Sequence, residues 1–166
     1  MGRHGCAALL LLCAGAVPLP LAAVTSQSFQ VSATITPGCL VVGGVSNYGG
    51  LNFGSRSALA TGTVQVALTG GVQLQCTPGV TLNMTVDGGQ YNSGGRRMQI
   101  SGGSAKVAYA LFRDAAYSQS LGIGQSVAVA YSDANNISLP IYGQVQLPGN
   151  QPGGTYSDVL QVQLSW

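Results

Sequence analysis

The chain is 166 residues long, only 6 % of it is charged, and its formal net charge is +2; ordinary soluble domains carry about 25 % charged residues. No basic stripe can be drawn, which excludes the electrostatic footprint of a nucleic-acid-binding protein. Glutamate is absent and the one histidine is His4, so no Ser/His/Asp triad and no histidine-rich metal site can be assembled.

Met1-Gly2-Arg3-His4 is a short positive start, Cys6 to Val17 an apolar run, and Pro18-Leu19-Pro20-Leu21-Ala22-Ala23 a small-residue exit. That layout reads as a secretory signal peptide, residues 1–23, because the run falls short of the roughly 20 residues a bilayer span needs. Cleavage is expected after Ala23; the competing reading is an anchor that stays attached. Leu12 precedes Cys13, which argues against a lipoprotein signal. Removing the leader leaves 166 − 23 = 143 residues, the size of one domain. No second apolar run is long enough to cross a membrane, so no transmembrane span is expected in the mature chain.

Residues 24–36 come next. From Ser28 to Thr36 the alternation is unbroken: Phe29, Val31, Ala33 and Ile35 share one face, and Ser28, Gln30, Ser32, Thr34 and Thr36 the other. Two readings compete: a first strand paired within its own domain, or a donor strand that completes a neighbour's sheet. Pattern alone does not separate them, since both need a period of two. Pro37-Gly38 divides this segment from the body. Cys39 and Cys76 are the cysteines left once the leader is gone, and an even pair in an exported chain reads as a disulfide. A metal site is the rival, weakened by the lack of further cysteine or histidine.

The body, residues 37–166, has one lysine to decorate a helix face, and Gly, Pro, Asn and Asp clusters recur at short intervals. That rhythm predicts an all-β sandwich or barrel. Gly62 to Leu68 fits either a strand or a loop edge. Val72, Leu74 and Cys76 share a face, and after Thr77-Pro78-Gly79 so do Val80, Leu82, Met84 and Val86. Asp87-Gly88-Gly89 turns the chain. Further strands are expected over 98–101, 106–113, 126–131, 137–147 and 156–166. In the last, Leu160, Val162, Leu164 and Trp166 face one way.

The aspartates Asp87, Asp114, Asp133 and Asp158 fall on separate turns, and turn formation explains them more cheaply than paired-carboxylate catalysis. Gly122-Ile123-Gly124 sits between strands and makes no phosphate loop. Arg96-Arg97, in a Gly-rich turn, reads as a solvated basic pair. Asn83-Met84-Thr85 and Asn136-Ile137-Ser138 match the glycosylation triplet, a match frequent by chance. No catalytic residue, metal or cofactor is expected.

From Phe29 to Trp166 the chain resembles the spore coat protein U domain family, which includes subunits of archaic chaperone–usher pili. The resemblance is carried by Phe29-x-Val31-x-Ala33-x-Ile35 with Cys39 shortly after, Asn52-Phe53-Gly54, and the second cysteine in Val72–Cys76. Met98 after a Gly-rich turn, Tyr109-x-Leu111-Phe112-x-Asp114 and Ile141-Tyr142-Gly143 add to it, as do Gly153-Gly154-Thr155-Tyr156-Ser157-Asp158-x-Leu160 and an aromatic last residue. Arg56 to Gly71 is longer and less charged than the family pattern suggests. The resemblance implies an immunoglobulin-like β-sandwich that is incomplete, missing its final strand, preceded by an N-terminal donor strand over residues 24–36. It implies a periplasmic chaperone, an outer-membrane usher and other copies or sibling subunits as partners. Donor side chains would be Phe29, Val31, Ala33 and Ile35, and Leu160, Val162, Leu164 and Trp166 would form the edge the chaperone recognises.

The function so implied is a structural subunit of a secreted surface pilus, exported by the Sec route to the periplasm and then the cell surface, supporting adhesion and biofilm formation. A spore or cell-surface coat protein of the same fold is the alternative. From other classes come a fibre-tip ligand-binding adhesin, for which 143 residues leave no receptor-binding domain, and a secreted hydrolase or inhibitor.

Overall fold

The structure is a computed structural model, described over residues 28–43, 48–71 and 73–166. The chain divides into two units, Met1–Thr34 and Ile35–Trp166. The predicted leader lies outside the described residues. In the first unit, residues 28–34 carry no strand and are exposed, Phe29 and Val31 among them. A strand exists only by pairing, because its backbone polar groups need a ladder partner.

Among its described residues the second unit contains ten short strands and no helix. They are β1 (Cys39–Val41), β2 (Thr61–Ala67), β3 (Leu74–Cys76), β4 (Asn83–Val86), β5 (Arg97–Ile100), β6 (Lys106–Phe112), β7 (Val127–Ala128), β8 (Tyr142–Pro148), β9 (Tyr156–Ser157) and β10 (Val162–Ser165). One layer is a five-stranded sheet in the order β2-β8-β6-β5-β9; the other holds the pair β1-β3 and the trio β10-β4-β7. All of these pairings are antiparallel. This is the all-β class that the turn rhythm predicts, and its immunoglobulin-like sandwich is the one that the family resemblance implies.

Alternation places the core. Leu82, Met84 and Val86 are buried between the layers, as are Leu74, Leu111, Leu121, Ile137 and Val145. Fully burying each such side chain contributes about 1.5–3 kcal/mol. The segment that fits strand or loop edge is a strand: β2 pairs with β8 along its whole length, from Thr61↔Pro148 to Ala67↔Tyr142. Its outer face is tied by side chains, with Thr63 Oγ1 donating to Gln146 Oε1 at 2.6 Å and Gln65 Nε2 to Gln144 Oε1 at 3.0 Å.

Three expectations are corrected. The strand expected over 137–147 begins at Tyr142; upstream of it Pro140 lacks an N–H, and Ile137 only bridges Leu74. The strand expected over 156–166 is two strands in different layers: β9 pairs with β5, whereas β10 pairs with β4. Arg96 is not solvated but buried, at 6 % exposure.

Candidate functional site

The chain changes layers between β9 and β10, and Asp158 sits at the crossing. One of its carboxylate oxygens accepts from the Gln90 and Val159 amides, each at 2.9 Å, and the other from Tyr109 Oη at 2.7 Å. Asp87, just past the end of β4, acts in a similar way. Its Oδ1 accepts from Gly89 N at 3.0 Å and Gln161 N at 2.9 Å. Carboxylates thus replace the ladder bonds that the crossing interrupts. Burial, and then the Asp158 hydrogen bond and charge, push the Tyr109 phenol well above its usual range. Arg96 braces the same region by donating to four carbonyls, Asp87 O at 2.8 Å, Leu121 O at 2.6 Å, Val86 O at 2.9 Å and Gly122 O at 3.3 Å. Desolvation lowers its pKa, partly offset by Tyr109, Asp87 and Asp158.

Beyond the crossing, β10 runs with Val162 opposite Val86 and Leu164 opposite Met84. Asp87 N donates to Gln161 O at 3.0 Å. In an antiparallel ladder the hydrogen-bonded pairs alternate, so the main-chain groups of 161, 163 and 165 point toward β4. Those of 160, 162 and 164 point to the opposite edge, which no strand among the described residues pairs. The side chains of Leu160, Val162 and Leu164 pack against the core, while Trp166 is 58 % exposed. Its indole nitrogen lies 3.8 Å from where a Cβ on Gly38 would stand.

Beside that edge runs an apolar trough. A cavity of about 530 Å³ is bounded by Tyr48, Leu51, Leu68 and Ile141 on one side and by residues 156–162 on the other. A second, of about 550 Å³, extends over Met98, Val107, Val145 and Leu147 of the five-stranded sheet. Leu51 and Phe53 line both. They lie on the sheet at Gly143: a Cβ there would meet Phe53 Cζ at 3.0 Å and Leu51 Cδ1 at 3.1 Å. Asn52 Oδ1 accepts from Gly54 N at 2.9 Å, and Gly54 has a φ of 72°, so a tight turn delivers the Phe53 ring to its place.

Cys39 and Cys76 are bonded, linking directly opposed residues of β1 and β3. Phe29, Val31, Ala33 and Ile35 form no strand, and all four are exposed. Leu160, Val162 and Leu164 are brought together along the trough and β10. Each aspartate accepts from backbone amides of a turn, including Asp114 from Ser118 and Gln119 and Asp133 from Asn135. Sequence reasoning missed Leu51, Tyr109 and Arg96 as parts of this site. A readable signal was Gly143, which interrupts the inward row Ile141, Val145; a glycine there announces a close neighbour.

No helix among the described residues is long and apolar enough to cross a membrane. No curated protein sequence matches the chain. Among solved structures, the fold is similar to that in a complex of a chaperone and a tip adhesion subunit (CsuC–CsuE, pre-assembly) from the archaic chaperone-usher Csu pili of Acinetobacter baumannii, with a TM-score of 0.51 and 15 % identity. That likeness covers 80 % of this chain and 41 % of the other, so this chain spans about two fifths of its neighbour's length. Residues 25–163 match the Spore Coat Protein U domain, and with that match covering most of its length the chain belongs to the Spore Coat Protein U domain family.

Proposed function

We propose that this chain is a structural subunit of a surface pilus that polymerises by donor-strand exchange, after export to the periplasm and delivery by a chaperone to an outer-membrane usher. The observation that carries the proposal is the outer edge of β10, which no strand among the described residues pairs, beside an apolar trough of about 530 Å³. An uncovered edge with apolar flanks is an aggregation hazard, and a protein that keeps one needs an occupant for it. An alternating segment such as Ser28–Thr36, exposed and without a strand, has the chemistry of that occupant in another copy. Burial of its Phe, Val and Ile side chains would contribute about 5–9 kcal/mol. Each ladder bond would add about 1 kcal/mol. The similarity to a subunit in complex with its chaperone supports a chaperone as the trough's first partner. Adhesion and biofilm formation are the proposed consequences of the fibre.

The test is deletion of Val24–Thr36 with co-expression of the cognate chaperone. The truncated subunit is expected to bind chaperone yet fail to extend fibres. A synthetic peptide of residues 25–36 is expected to raise its melting temperature, because a ligand bound only by the folded state stabilises that state. Val31→Asp in the peptide should abolish the shift by burying an unpaired charge. A truncated chain that is stable, monomeric and indifferent to the peptide would refute the proposal.

A further inference from the structure

The two stretches Asn52-Phe53-Gly54 and Ile141-Tyr142-Gly143 lie far apart in sequence and meet in space, the ring of the first resting on the glycine of the second. Leu51 and Phe53 line both cavities of the trough, as do Met98 and Tyr156. On β8 and just before it, the inward positions read large, absent, large: Ile141, Gly143, Val145, with Leu51 and Phe53 filling the place above the glycine. One cavity lies toward Ile141 and the other toward Val145 and Leu147. The leading segment has the same rhythm: Val31, Ala33, Ile35, with its smallest inward side chain between two large ones. In both rows the outer members are four residues apart, about 13 Å along an extended chain. Residues 24–36 carry no charge, and the carboxylate that lines the trough, Asp158, is already held by Tyr109.

We infer that Leu51 and Phe53 form a divider that fixes the register of the incoming strand, so that Ala33 of a second copy passes over Phe53 while Val31 and Ile35 enter the cavities on either side. This rests on the pilus reading above, and it deepens it: the trough selects a strand with a small residue at one position, and this chain's own leading segment meets that requirement. The partner is therefore another copy of the same chain. A slip by two residues would drive Val31 or Ile35 onto the Phe53 ring, and a slip by one would turn the polar face inward.

The experiment uses the full chain, co-expressed with its chaperone and usher, and reads surface fibres as multimers that survive unheated detergent electrophoresis, against the amount of oxidised subunit in the periplasm. Ala33→Phe is expected to cut multimers by about tenfold or more through overpacking at the divider. Adding Phe53→Ala in the same chain, which empties that place, is expected to restore them to within about threefold of the parent. The converse pair is Gly143→Ala, which lifts Phe53 and Leu51 toward the incoming strand and should weaken assembly, rescued by Ala33→Gly. This pair decides the matter if Phe53→Ala lowers periplasmic subunit. Wild-type assembly by Ala33→Phe, or failure of both compensating pairs, overturns the divider. Normal assembly by Val31→Asp overturns donor-strand exchange itself, so the two failures are distinguishable.

Discussion

Replacing Arg96 by methionine keeps much of the side chain's volume and removes its donors. Of the four carbonyls Arg96 serves, Val86 O also accepts from Gly124 N and Gly122 O from Gln125 N. Asp87 O and Leu121 O have no second donor among the described residues. Two buried acceptors would be orphaned, at about 1–3 kcal/mol each. Against this, the variant no longer desolvates a guanidinium, and buried charges replaced by apolar groups are often neutral. That relief is limited here because the partners left behind are main-chain carbonyls, which cannot be removed with the charge. A net loss of about 2–5 kcal/mol follows, or roughly 6–15 °C in melting temperature for a domain of this size. Guanidinium denaturation of purified, disulfide-bonded protein, followed by near-ultraviolet circular dichroism, measures it; protein concentration must be held constant if strands are exchanged between copies. Arg96→Lys should lose nearly as much, since one ammonium cannot serve carbonyls on two separate segments. A methionine variant within about 1 kcal/mol of the parent would refute the bracing role.

Other outcomes follow from the same geometry. Cys39→Ser with Cys76→Ser opens a loop closed across a separation of 37 residues, and the chain-entropy relation gives a loss of about 4 kcal/mol, readable as a lower denaturation midpoint. Tyr109 has a raised folded-state pKa, so the stability tied to its neutral form is complete below the unfolded value near 10 and is lost as pH rises above it. Tyr109→Phe should flatten that alkaline decline in melting temperature, at the expense of a lower value near neutrality from the lost Asp158 bond. Asp114 has a depressed pKa, through Ser118 first and then the Gln119 and Ser118 amides. Its contribution is present above the ordinary carboxylate value near 4 and fades as pH falls through the native value. The gap between the parent and Asp114→Asn should therefore close in acid.

Much of the body was legible because burial on one face writes itself into alternation. Leu82, Met84 and Val86 could be assigned inward from sequence, and the structure buries all three. The change of layer at Asp158 was not legible: Leu160, Val162 and Leu164 keep the period of two through it, and only the partner strand changes. Pairing is a tertiary fact that a period does not record. Arg96 reads as solvated in the sequence for a related reason, since an arginine in a Gly-rich turn is solvated unless orphan carbonyls from elsewhere converge on it. Phe53 and Gly143 were each visible as motifs, yet their contact joins segments about ninety residues apart, beyond the reach of local pattern. The exposure of Phe29, Val31 and Ile35 sits beside an alternation that predicts burial, a mismatch that the proposed fibre resolves in another molecule.

The position of the disulfide has a mechanical consequence. In the proposed fibre under tension, load arriving through the leading segment would reach the body at Cys39 and pass by covalent bond to Cys76 on β3. Residues between the two cysteines are thereby spared the pull, and about 120–130 Å of contour, at 3.3–3.6 Å per residue over the 37-residue separation, cannot be reeled out. Stretching such a filament would have to draw slack from the carboxy-terminal half or from the junctions between subunits, and reduction of this one bond would make each subunit measurably more extensible.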